Sequence, residues 1–435
     1  MSDSTPCAIH WFRRDLRLED NHALWAALQS GLPVIPIFIF DTAILSKLNN
    51  RADSRVNFIH QRLEQLNEIL QDVQSGIEVF YGNPIEVWKE IIARYQVKKV
   101  FVNRDYEPYA QERDQQIHTL LASHGIEMIG KKDHVIFEKS EVMKDDGKPY
   151  TIFTPYSKKW KQCFEKQEIP HYPSEDHLNA LMKQQQQTMR ALSEMGFEVS
   201  TIPIPELSFD ETKIRVYDKQ RDIPSIAGTT RLSVHFRFGT VSIRTAVRHA
   251  MQWNGVWLNE LIWREFYQMI LYHFPHTVNA AFKPIYDRIE WRNDVSEFER
   301  WKSGTTGYPI VDAGMRELNT TGFMHNRVRM IVASFLTKHL LIDWRWGERY
   351  FAEKLMDFEL ASNIGGWQWA AGCGCDAAPY FRVFNPTLQT QKFDPQWTYI
   401  KKWVPEWGTS AYPKPIVEHT LARERVLRVY KAALQ

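Results

Sequence analysis

Cysteines and long apolar segments are scarce in this 435-residue sequence. Its four cysteines are too few for a disulfide framework, which fits a reducing compartment, and we predict a cytoplasmic protein. No run of about 18 uncharged apolar residues occurs, so we expect no membrane-spanning helix. The N-terminal residues lack a basic patch followed by an apolar stretch, so we also expect no signal peptide.

The motifs of several enzyme classes are missing as well. No G-x-G-x-x-G follows the first predicted strand, and no Walker A, H-E-x-x-H or Ser-His-Asp pattern stands out. Cys373 and Cys375 are separated by one residue, which does not suit zinc, so we predict no metal site. A chain with many aromatic residues and few acid–base candidates favours a bound cofactor that supplies the chemistry.

Charge and tryptophan are unevenly distributed along the chain. Residues 201–435 contain 30 Lys and Arg against 24 Asp and Glu, a balance of +6, whereas residues 1–200 contain 24 against 28, a balance of −4. A modest positive charge in one half is compatible with a polyanionic partner. Twelve of the sixteen tryptophans also lie in residues 201–435, where they could form a helical core, a stacking site or a path for electrons.

Strand-like and helical patterns alternate over the first 133 residues. Helical patterns such as Arg55–Leu70 separate the predicted strands, which are Cys7–Arg13, Val34–Asp41, Ile77–Tyr81, Lys99–Asn103 and Glu127–Ile129. This alternation predicts an α/β N-terminal domain with a Rossmann-like parallel sheet over residues 1–133.

The rest of the chain has a different character. Residues 134–209 are predicted to form a connector, because they lack the alternation and end in a proline-rich stretch. From residue 210 to 435 the strand patterns disappear, and the helical patterns Trp257–His273, Gly322–Leu341 and Glu348–Leu360 predict an all-α domain.

Two segments of the helical domain carry candidate binding groups. Gly228–Ser233 places small and hydroxyl residues ahead of a helical pattern, which suits either simple capping or a phosphate site. Trp257, Glu260 and Trp263 are spaced by three residues and share one helix face. They are either core tryptophans beside a surface carboxylate, or a stacking platform with a polar group for a base edge.

The segment Asn363–Pro386 combines two tryptophans, several glycines and an arginine in a stretch too polar for plain core. Together with Trp257–Tyr267, Thr306–Arg316 and Met324–Met330, it resembles the photolyase/cryptochrome family, and most closely the bacterial class I cyclobutane pyrimidine dimer (CPD) DNA photolyases. The resemblance covers nearly the whole chain. It implies an antenna-type first domain and an FAD-binding second domain.

The implied cofactor is FAD, active as FADH⁻. The residues that match its phosphate, ribityl and ring contacts are Tyr217, Thr229, Thr230, Arg231, Leu232, Ser233 and Trp257. Asn363 matches the residue that faces flavin N5, and Arg329 and Asp357 match a salt bridge beside the flavin. Glu359 stands where the family normally has Asp, and its extra methylene shifts the carboxylate by about 1.5 Å.

The implied partner is ultraviolet-damaged DNA with a pyrimidine dimer flipped out of the duplex. Trp263 and Trp369 match the tryptophans that grip the dimer, and Glu260 matches the carboxyl group that hydrogen-bonds to it. Further residues that match pocket or strand contacts are Asn326, Arg327, Met330, Arg221, Arg382 and Gln389. Enzymes for the (6-4) photoproduct carry catalytic histidines at positions 326 and 330, so their absence favours cyclobutane dimers.

The implied reaction is a light-driven lyase reaction of a monomeric enzyme. Excited FADH⁻ donates an electron to the dimer, both cyclobutane bonds break, and the electron returns to the flavin. Glu260 would stabilise the dimer radical anion and Asn363 would tune the flavin. Trp367, Trp344 and Trp291 match the relay that reduces oxidised flavin under light, although the same residues could serve only as packing.

The antenna site is less well specified. The folate-binding subgroup has an Asn-Glu pair where this chain has Tyr109-Ala110, within Arg104–Asp114. This segment is more similar to members with a deazaflavin or flavin antenna. The N-terminal domain could therefore hold a second chromophore, which is a deazaflavin, a flavin or a folate.

Two other functions compete with DNA repair. A cryptochrome-like blue-light receptor would bind FAD without repair, and a long tail or a disrupted pocket would mark it. The chain ends about thirty residues after Trp403 with its pocket residues intact, which favours repair. A flavin-dependent oxidoreductase would act in the dark with a nicotinamide donor, for which no site is evident.

Overall fold

Five strands form one parallel sheet in the N-terminal part of the chain. The computed structural model describes residues 3–184 and 189–435. Met1 and Ser2, which begin the segment expected to lack a signal peptide, lie outside the described residues. The strands are β1 (Asp3–Phe12), β2 (Val34–Asp41), β3 (Glu78–Gly82), β4 (Tyr95–Asn103) and β5 (Glu127–Lys131). All neighbouring pairs are parallel, in the order β3-β2-β1-β4-β5.

Strand β1 lies at the centre of this sheet. Its Ile9 pairs with Ile35 of β2 on one side and with Val100 of β4 on the other. β2 is buried at every position, as expected for a parallel strand that is covered on both faces. The strand order changes direction between β1 and β4, and ligands of open parallel sheets bind near the carboxyl ends of strands at such a point.

Helices account for most of the remaining chain, and no helix among the described residues is long and apolar enough to cross a membrane. In chain order the α-helices are α1 (His22–Leu28), α2 (Thr42–Leu45), α3 (Ser54–Gln71), α4 (Pro84–Arg94), α5 (Pro108–Ser123), α6 (Phe153–Phe164), α7 (Glu211–Arg215), α8 (Tyr217–Gln220), α9 (Ser233–Phe238), α10 (Ile243–Trp253), α11 (Gly255–His273), α12 (Val295–Ser303), α13 (Pro309–Thr321), α14 (Asn326–Ser334), α15 (Trp344–Lys354), α16 (Leu360–Ala371), α17 (Pro386–Phe393), α18 (Thr398–Trp403) and α19 (His419–Leu434). The predicted α/β sheet followed by a helical region is confirmed.

Two predicted helices are interrupted. Within Gly322–Leu341, Gly322 instead ends α13, α14 begins only after His325, and Phe335–His339 forms a π-helical turn. Within Glu348–Leu360, residues 355–359 are not helical, because the N–H of Met356 donates to the carbonyl of Gly322 rather than to its own helix. This break places Asp357 in a turn and Glu359 in extended backbone immediately before α16.

The chain folds into two compact units, and their segments alternate along the sequence. The first unit contains the described residues of 1–141, 164–207 and 232–249; the second contains residues 142–163, 208–231 and 250–435. This division differs from the predicted boundaries at 133/134 and 209/210. Part of the predicted connector joins the helical unit, and residues 232–249 of the predicted helical domain join the sheet.

Specific contacts explain both differences. In the second unit, Nε1 of Trp160 on α6 donates to Oε1 of Glu265 on α11 over 2.5 Å. In the first unit, the N–H of Leu16 donates to the carbonyl of Phe238 over 3.0 Å. The next residue, Gly239, has a φ of +61°, and a Cβ there would lie 2.0 Å from the Arg14 carbonyl oxygen, so the close approach requires glycine.

A buried ion-pair network also ties residues 232–249 to the first unit. Asp133 accepts hydrogen bonds from Arg17 at 2.7 Å and from Arg244 at 2.9 Å, and Arg244 also bonds to Asp20. All four side chains are buried. Burial opposes ionisation of Asp133, but Arg17 and Arg244 outweigh it and hold its pKa well below the usual range.

We expect Asp133→Asn to destabilise the protein by about 3–5 kcal/mol, because it leaves two buried guanidinium groups without their shared carboxylate. Urea unfolding of the full chain measures this loss. The difference from wild type should narrow as the pH falls below 3.8, the ordinary pKa of aspartate, because the unfolded wild-type chain then binds a proton at Asp133 while the folded protein still keeps this side chain ionised. Glu86→Gln, which removes an exposed pair with Lys89, is the control and should change stability by less than about 0.5 kcal/mol.

Candidate functional site

Helix α11 carries a carboxylate beside an aromatic platform. It is capped by Asn254, whose side-chain oxygen accepts hydrogen bonds from the N–H groups of Val256 and Trp257. Further along, Glu260 is half-buried, and its Oε1 accepts a hydrogen bond from Nη1 of Arg221 at 2.5 Å. Burial raises the pKa of Glu260, and Arg221 opposes that rise.

The two predicted tryptophans on α11 differ in exposure. Trp257 is buried, with the ring of Phe209 packed edge-on against it at 6.3 Å. Trp263 is half-buried, and its indole stacks on Phe153 with ring centroids 3.7 Å apart. Because Trp263 retains exposed surface three residues from Glu260, it is suited to contact a planar ligand.

Glu359, immediately before α16, forms a buried polar cluster with α11. Its Oε1 accepts hydrogen bonds from Arg264 at 2.9 Å and from Gln268 at 3.1 Å. The Oε1 atom of Gln268 is buried and has no partner among the described residues. This cluster therefore offers a hydrogen-bond acceptor to a group that enters the site.

Asn363 lies one turn further along α16 and is also buried. Its Nδ2 donates to the carbonyl oxygen of Glu348 at 3.0 Å and to the Glu348 carboxylate at 2.9 Å. Burial raises the pKa of Glu348, and the bond from Asn363 lowers it. The amide orientation is thus fixed by α15.

The start of α14 carries the remaining charged residues of the predicted pocket. Nη2 of Arg329 lies 2.9 Å from a carboxylate oxygen of Asp357, so the predicted salt bridge is formed. Arg327 pairs with Asp222 at 2.7 Å, and its Nη1 lies 3.7 Å from the sulfur of Met330. Asn326 is exposed and Met330 half-buried.

The predicted phosphate-binding segment has an irregular backbone. Thr229 and Thr230 are half-buried, and Arg231 adopts a positive φ of 55° with its guanidinium 4.0 Å from the Phe323 ring centre. Tyr217 begins α8 and packs under the guanidinium of Arg221. Leu232 is buried, and Ser233, the first residue of α9, is exposed; both belong to the first unit.

The three tryptophans predicted to form a relay share one hydrophobic cluster in the second unit. Trp367 and Trp344 are buried members of the cluster, and Trp291 packs against it half-buried. Trp301 contacts Trp367 edge-on, with ring centroids 6.0 Å apart. At Gly347 an added Cβ would lie 2.1 Å from the Trp367 ring, so the missing side chain leaves room for the indole.

The residues predicted to contact DNA from the end of α16 onwards are accessible. Trp369 is half-buried beside Phe384, and the guanidinium of the exposed Arg382 lies 5.5 Å from the same ring. Gln389 is half-buried on α17. All four cysteines are free thiols, and no group of three or more potential metal ligands occurs in the described part of the chain.

Comparison with known families shows the family to which this chain belongs. Residues 8–174 match the family model for DNA photolyase, and residues 257–411 match that for the FAD binding domain of DNA photolyase. The chain belongs to the DNA photolyase family. The predicted family, the FAD cofactor and the prediction of a DNA-repair lyase are thereby confirmed.

Individual photolyases are similar over their whole length. A deoxyribodipyrimidine photo-lyase from Synechococcus is 36% identical, with 98% of this chain and 97% of the relative covered. The crystal structure of a class III photolyase from Agrobacterium tumefaciens has a TM-score of 0.86 and 32% identity, covering 100% and 98% of the two chains.

Two further solved structures are similar to this chain, one of a photolyase and one of a cryptochrome. The Sulfolobus tokodaii photolyase with two FAD molecules, described as implying a novel light-harvesting cofactor, has a TM-score of 0.82 and 34% identity, covering 98% and 99% of the chains. A Synechocystis cryptochrome has a TM-score of 0.86 and 27% identity, covering 99% and 100%.

The residues of this photolyase fit a bound flavin. Arg264 and Arg329 supply hydrogen-bond donors inside the helical unit, Asn363 supplies its amide oxygen as an acceptor, and Glu359 supplies a buried carboxylate. The buried Oε1 of Gln268 receives no hydrogen bond from the described part of the chain, and a flavin ring N–H or ribityl hydroxyl could provide one.

Several residues of the photolyase site were missed by the sequence reasoning. Arg264 and Gln268 follow Glu260 at intervals of four residues, so helical spacing alone would have placed them on the same face of α11. Glu348 and Phe153 are distant in sequence from the residues they contact, and no local pattern reveals them.

Proposed function

We propose that the protein splits cyclobutane pyrimidine dimers in ultraviolet-damaged DNA, in a light-driven reaction that uses bound FAD. The observation that carries this proposal is the arrangement on α11, where the half-buried Glu260 is fixed by Arg221 one helical turn from the partly exposed Trp263. Such a pair can hold one flipped base by stacking and by a hydrogen bond to its edge.

Trp263 and Trp369 would bind the dimer by stacking. Base–aromatic stacking contributes roughly 1–3 kcal/mol per base, which offsets the few kcal/mol needed to flip the dimer out of the duplex. Arg221 and Arg382 would contact the phosphates, which gives affinity without sequence preference. This division of roles suits an enzyme that must recognise a lesion in any sequence.

Glu260 would orient the dimer and stabilise added negative charge on it. Burial raises the pKa of Glu260 and Arg221 opposes the rise, so this carboxyl group is easier to protonate than an exposed glutamate; when protonated, it would donate a hydrogen bond to a base carbonyl. That bond becomes stronger when the base carries negative charge. When bound, the reduced flavin supplies the light-excited electron that splits the dimer.

Residues on α14 to α16 would hold the cofactor. Asn363 would present its amide to the flavin ring, with its orientation fixed by Glu348. Arg329 and Asp357 would flank the ring as a pair, and Glu359 with Gln268 would accept hydrogen bonds from its polar edge. Further contacts are proposed for Tyr217, Thr229, Thr230, Arg231, Leu232, Ser233 and Trp257.

We also propose a second, light-harvesting chromophore in the first unit, near the carboxyl ends of β1 and β2. There the hydroxyl of Tyr109 donates to Asp41 at 2.6 Å, and Lys47 and Arg113 lie over the Tyr109 ring. Cationic groups around a half-buried aromatic ring suit a planar, negatively charged ligand such as a flavin or deazaflavin. The Sulfolobus relative with two FAD molecules supports this choice, which extraction and absorption spectroscopy of the purified protein would test.

The enzyme is further proposed to act as a monomer in the cytoplasm. The free thiols of all four cysteines are consistent with a reducing compartment.

The first test is dimer removal from ultraviolet-irradiated oligothymidine by the flavin-loaded, reduced protein. Recovery of thymine absorbance in blue light but not in the dark is expected. Absence of repair in light, with flavin bound, would contradict the proposal and favour a blue-light receptor. Dark consumption of a nicotinamide donor would instead favour an oxidoreductase.

Glu260→Ala should lower the repair quantum yield several-fold while flavin stays bound, because one hydrogen bond of about 1–1.5 kcal/mol to the charged dimer is lost. Repair per absorbed photon at saturating substrate measures this effect. Glu353→Ala removes an exposed carboxylate from α15 and is the control. An unchanged yield in Glu260→Ala would remove Glu260 from its proposed role.

Trp367→Phe should slow photoreduction of oxidised FAD by at least about tenfold, because phenylalanine is much harder to oxidise than tryptophan, a loss equivalent to about 1.4 kcal/mol of activation free energy. Repair by chemically reduced enzyme should be preserved. Absorption changes under blue light report the photoreduction, and Trp25→Phe in the first unit is the control. Photoreduction at the wild-type rate would show that electrons reach the flavin by another route.

A further inference from the structure

Phe153, at the start of α6, stacks directly on Trp263. The two ring centroids are 3.7 Å apart and the planes differ by only 6°. Both rings also contact the buried Phe266, edge-on, at 5.9 Å and 5.6 Å. Phe153 therefore covers the face of the indole that is turned towards the interior of the second unit.

The other face of Trp263 is not covered in the same way. Phe153 is itself buried, yet Trp263 remains half-buried. Its further ring contact, with Tyr267, is tilted by 34° at 5.4 Å and is not a parallel stack. Because an indole has only two faces, the exposed surface of Trp263 belongs to the face opposite Phe153 and to its edges.

Phe153 is held in place by contacts on both sides of the ring pair. Its backbone N–H donates to Oδ2 of Asp376 at 3.0 Å. Further along α6, Lys161 donates to the side chain of Asn259 on α11 at 2.9 Å. The first bond fixes the backbone of Phe153, and the second joins α6 to the helix that carries Trp263. The stacked pair is therefore held before a ligand binds, which reduces the conformational freedom that Trp263 would lose on binding.

We propose that Phe153 is a positioning residue for lesion recognition, which holds the Trp263 indole in the plane needed to stack on the flipped dimer. The proposal rests on the proposed function of Trp263. Phe153 acts through Trp263 and does not touch the dimer. Its effect therefore concerns the affinity for damaged DNA, and neither binding of undamaged DNA nor the splitting step depends on it.

The test measures dark binding of the FAD-loaded enzyme to oligothymidine with and without a dimer. Phe153→Leu, which removes the aromatic plane at similar size, should weaken binding of the damaged strand by about three- to tenfold. Binding of the undamaged strand, FAD content and the quantum yield at saturating lesion should stay unchanged. Phe153→Tyr keeps the stack and should restore binding, and Phe282→Leu, which loses an edge-on contact with Phe274, is the matched control.

A double-mutant cycle separates positioning from a general structural role. In a Trp263→Ala background, Phe153→Leu should have no further effect on damaged-strand binding. Asp376→Gly suits the positive φ of 47° and removes the carboxylate that accepts the Phe153 N–H. Like Phe153→Leu, the Asp376→Gly variant should weaken binding of the damaged strand. The proposal can therefore still be tested if Phe153→Leu does not retain its flavin.

The outcomes distinguish failure of the proposal for Phe153 from failure of the proposed function of Trp263. Tighter damaged-strand binding by Phe153→Leu would overturn the proposal, since the ring would then occupy the face that the dimer needs. The proposal would also be overturned if Phe153→Leu weakened binding of the undamaged strand as much as binding of the damaged strand. It would be overturned as well if Phe153→Leu weakened damaged-strand binding in the Trp263→Ala background as much as in wild type. If Trp263→Ala binds dimers as wild type does, the proposed function of Trp263 fails, and the proposal for Phe153 fails with it.

Discussion

The arrangement of the helical unit depends on how closely other helices approach α16. This helix contains no charged residue and packs against α11, α14 and α15. Two glycines permit the approach, because an added Cβ would lie 2.1 Å from the Trp367 ring at Gly347 and 2.2 Å from the Tyr267 ring at Gly365. Dense packing of this kind leaves little room for adjustment, so the side chains of α16 have defined directions.

Those directions determine the chemistry available at each face. Asn363 and Trp367 are one turn apart, so the proposed flavin contact and the first proposed electron donor share a face of α16. Trp369 points elsewhere and meets Phe384, next to the exposed Arg382. One rigid helix therefore serves both the proposed cofactor site and the proposed lesion site.

Sequence reasoning succeeded where the signal was periodic and local. The strand Val34–Asp41 has its predicted bounds. The strand predicted at Glu127–Ile129 and the helix predicted at Trp257–His273 each differ from the observed β5 and α11 by two residues at one end. It failed where tertiary contacts override the pattern. The connection at 355–359 breaks a helical pattern because Met356 bonds to Gly322. The stacking of Phe153 on Trp263 joins residues 110 positions apart, and no pattern within either segment reveals it.

The network of Asp20, Asp133, Arg17 and Arg244 has a consequence for synthesis on the ribosome. The sheet is complete at Lys131, but Arg244 follows only after more than a hundred further residues. At about 5–20 residues per second, the nascent first unit waits roughly 5–20 s with only one of its two buried arginines present. During that interval two carboxylates lack part of their compensation, so the sheet cannot reach full stability until residues 232–249, which follow two short segments of the second unit, have been made.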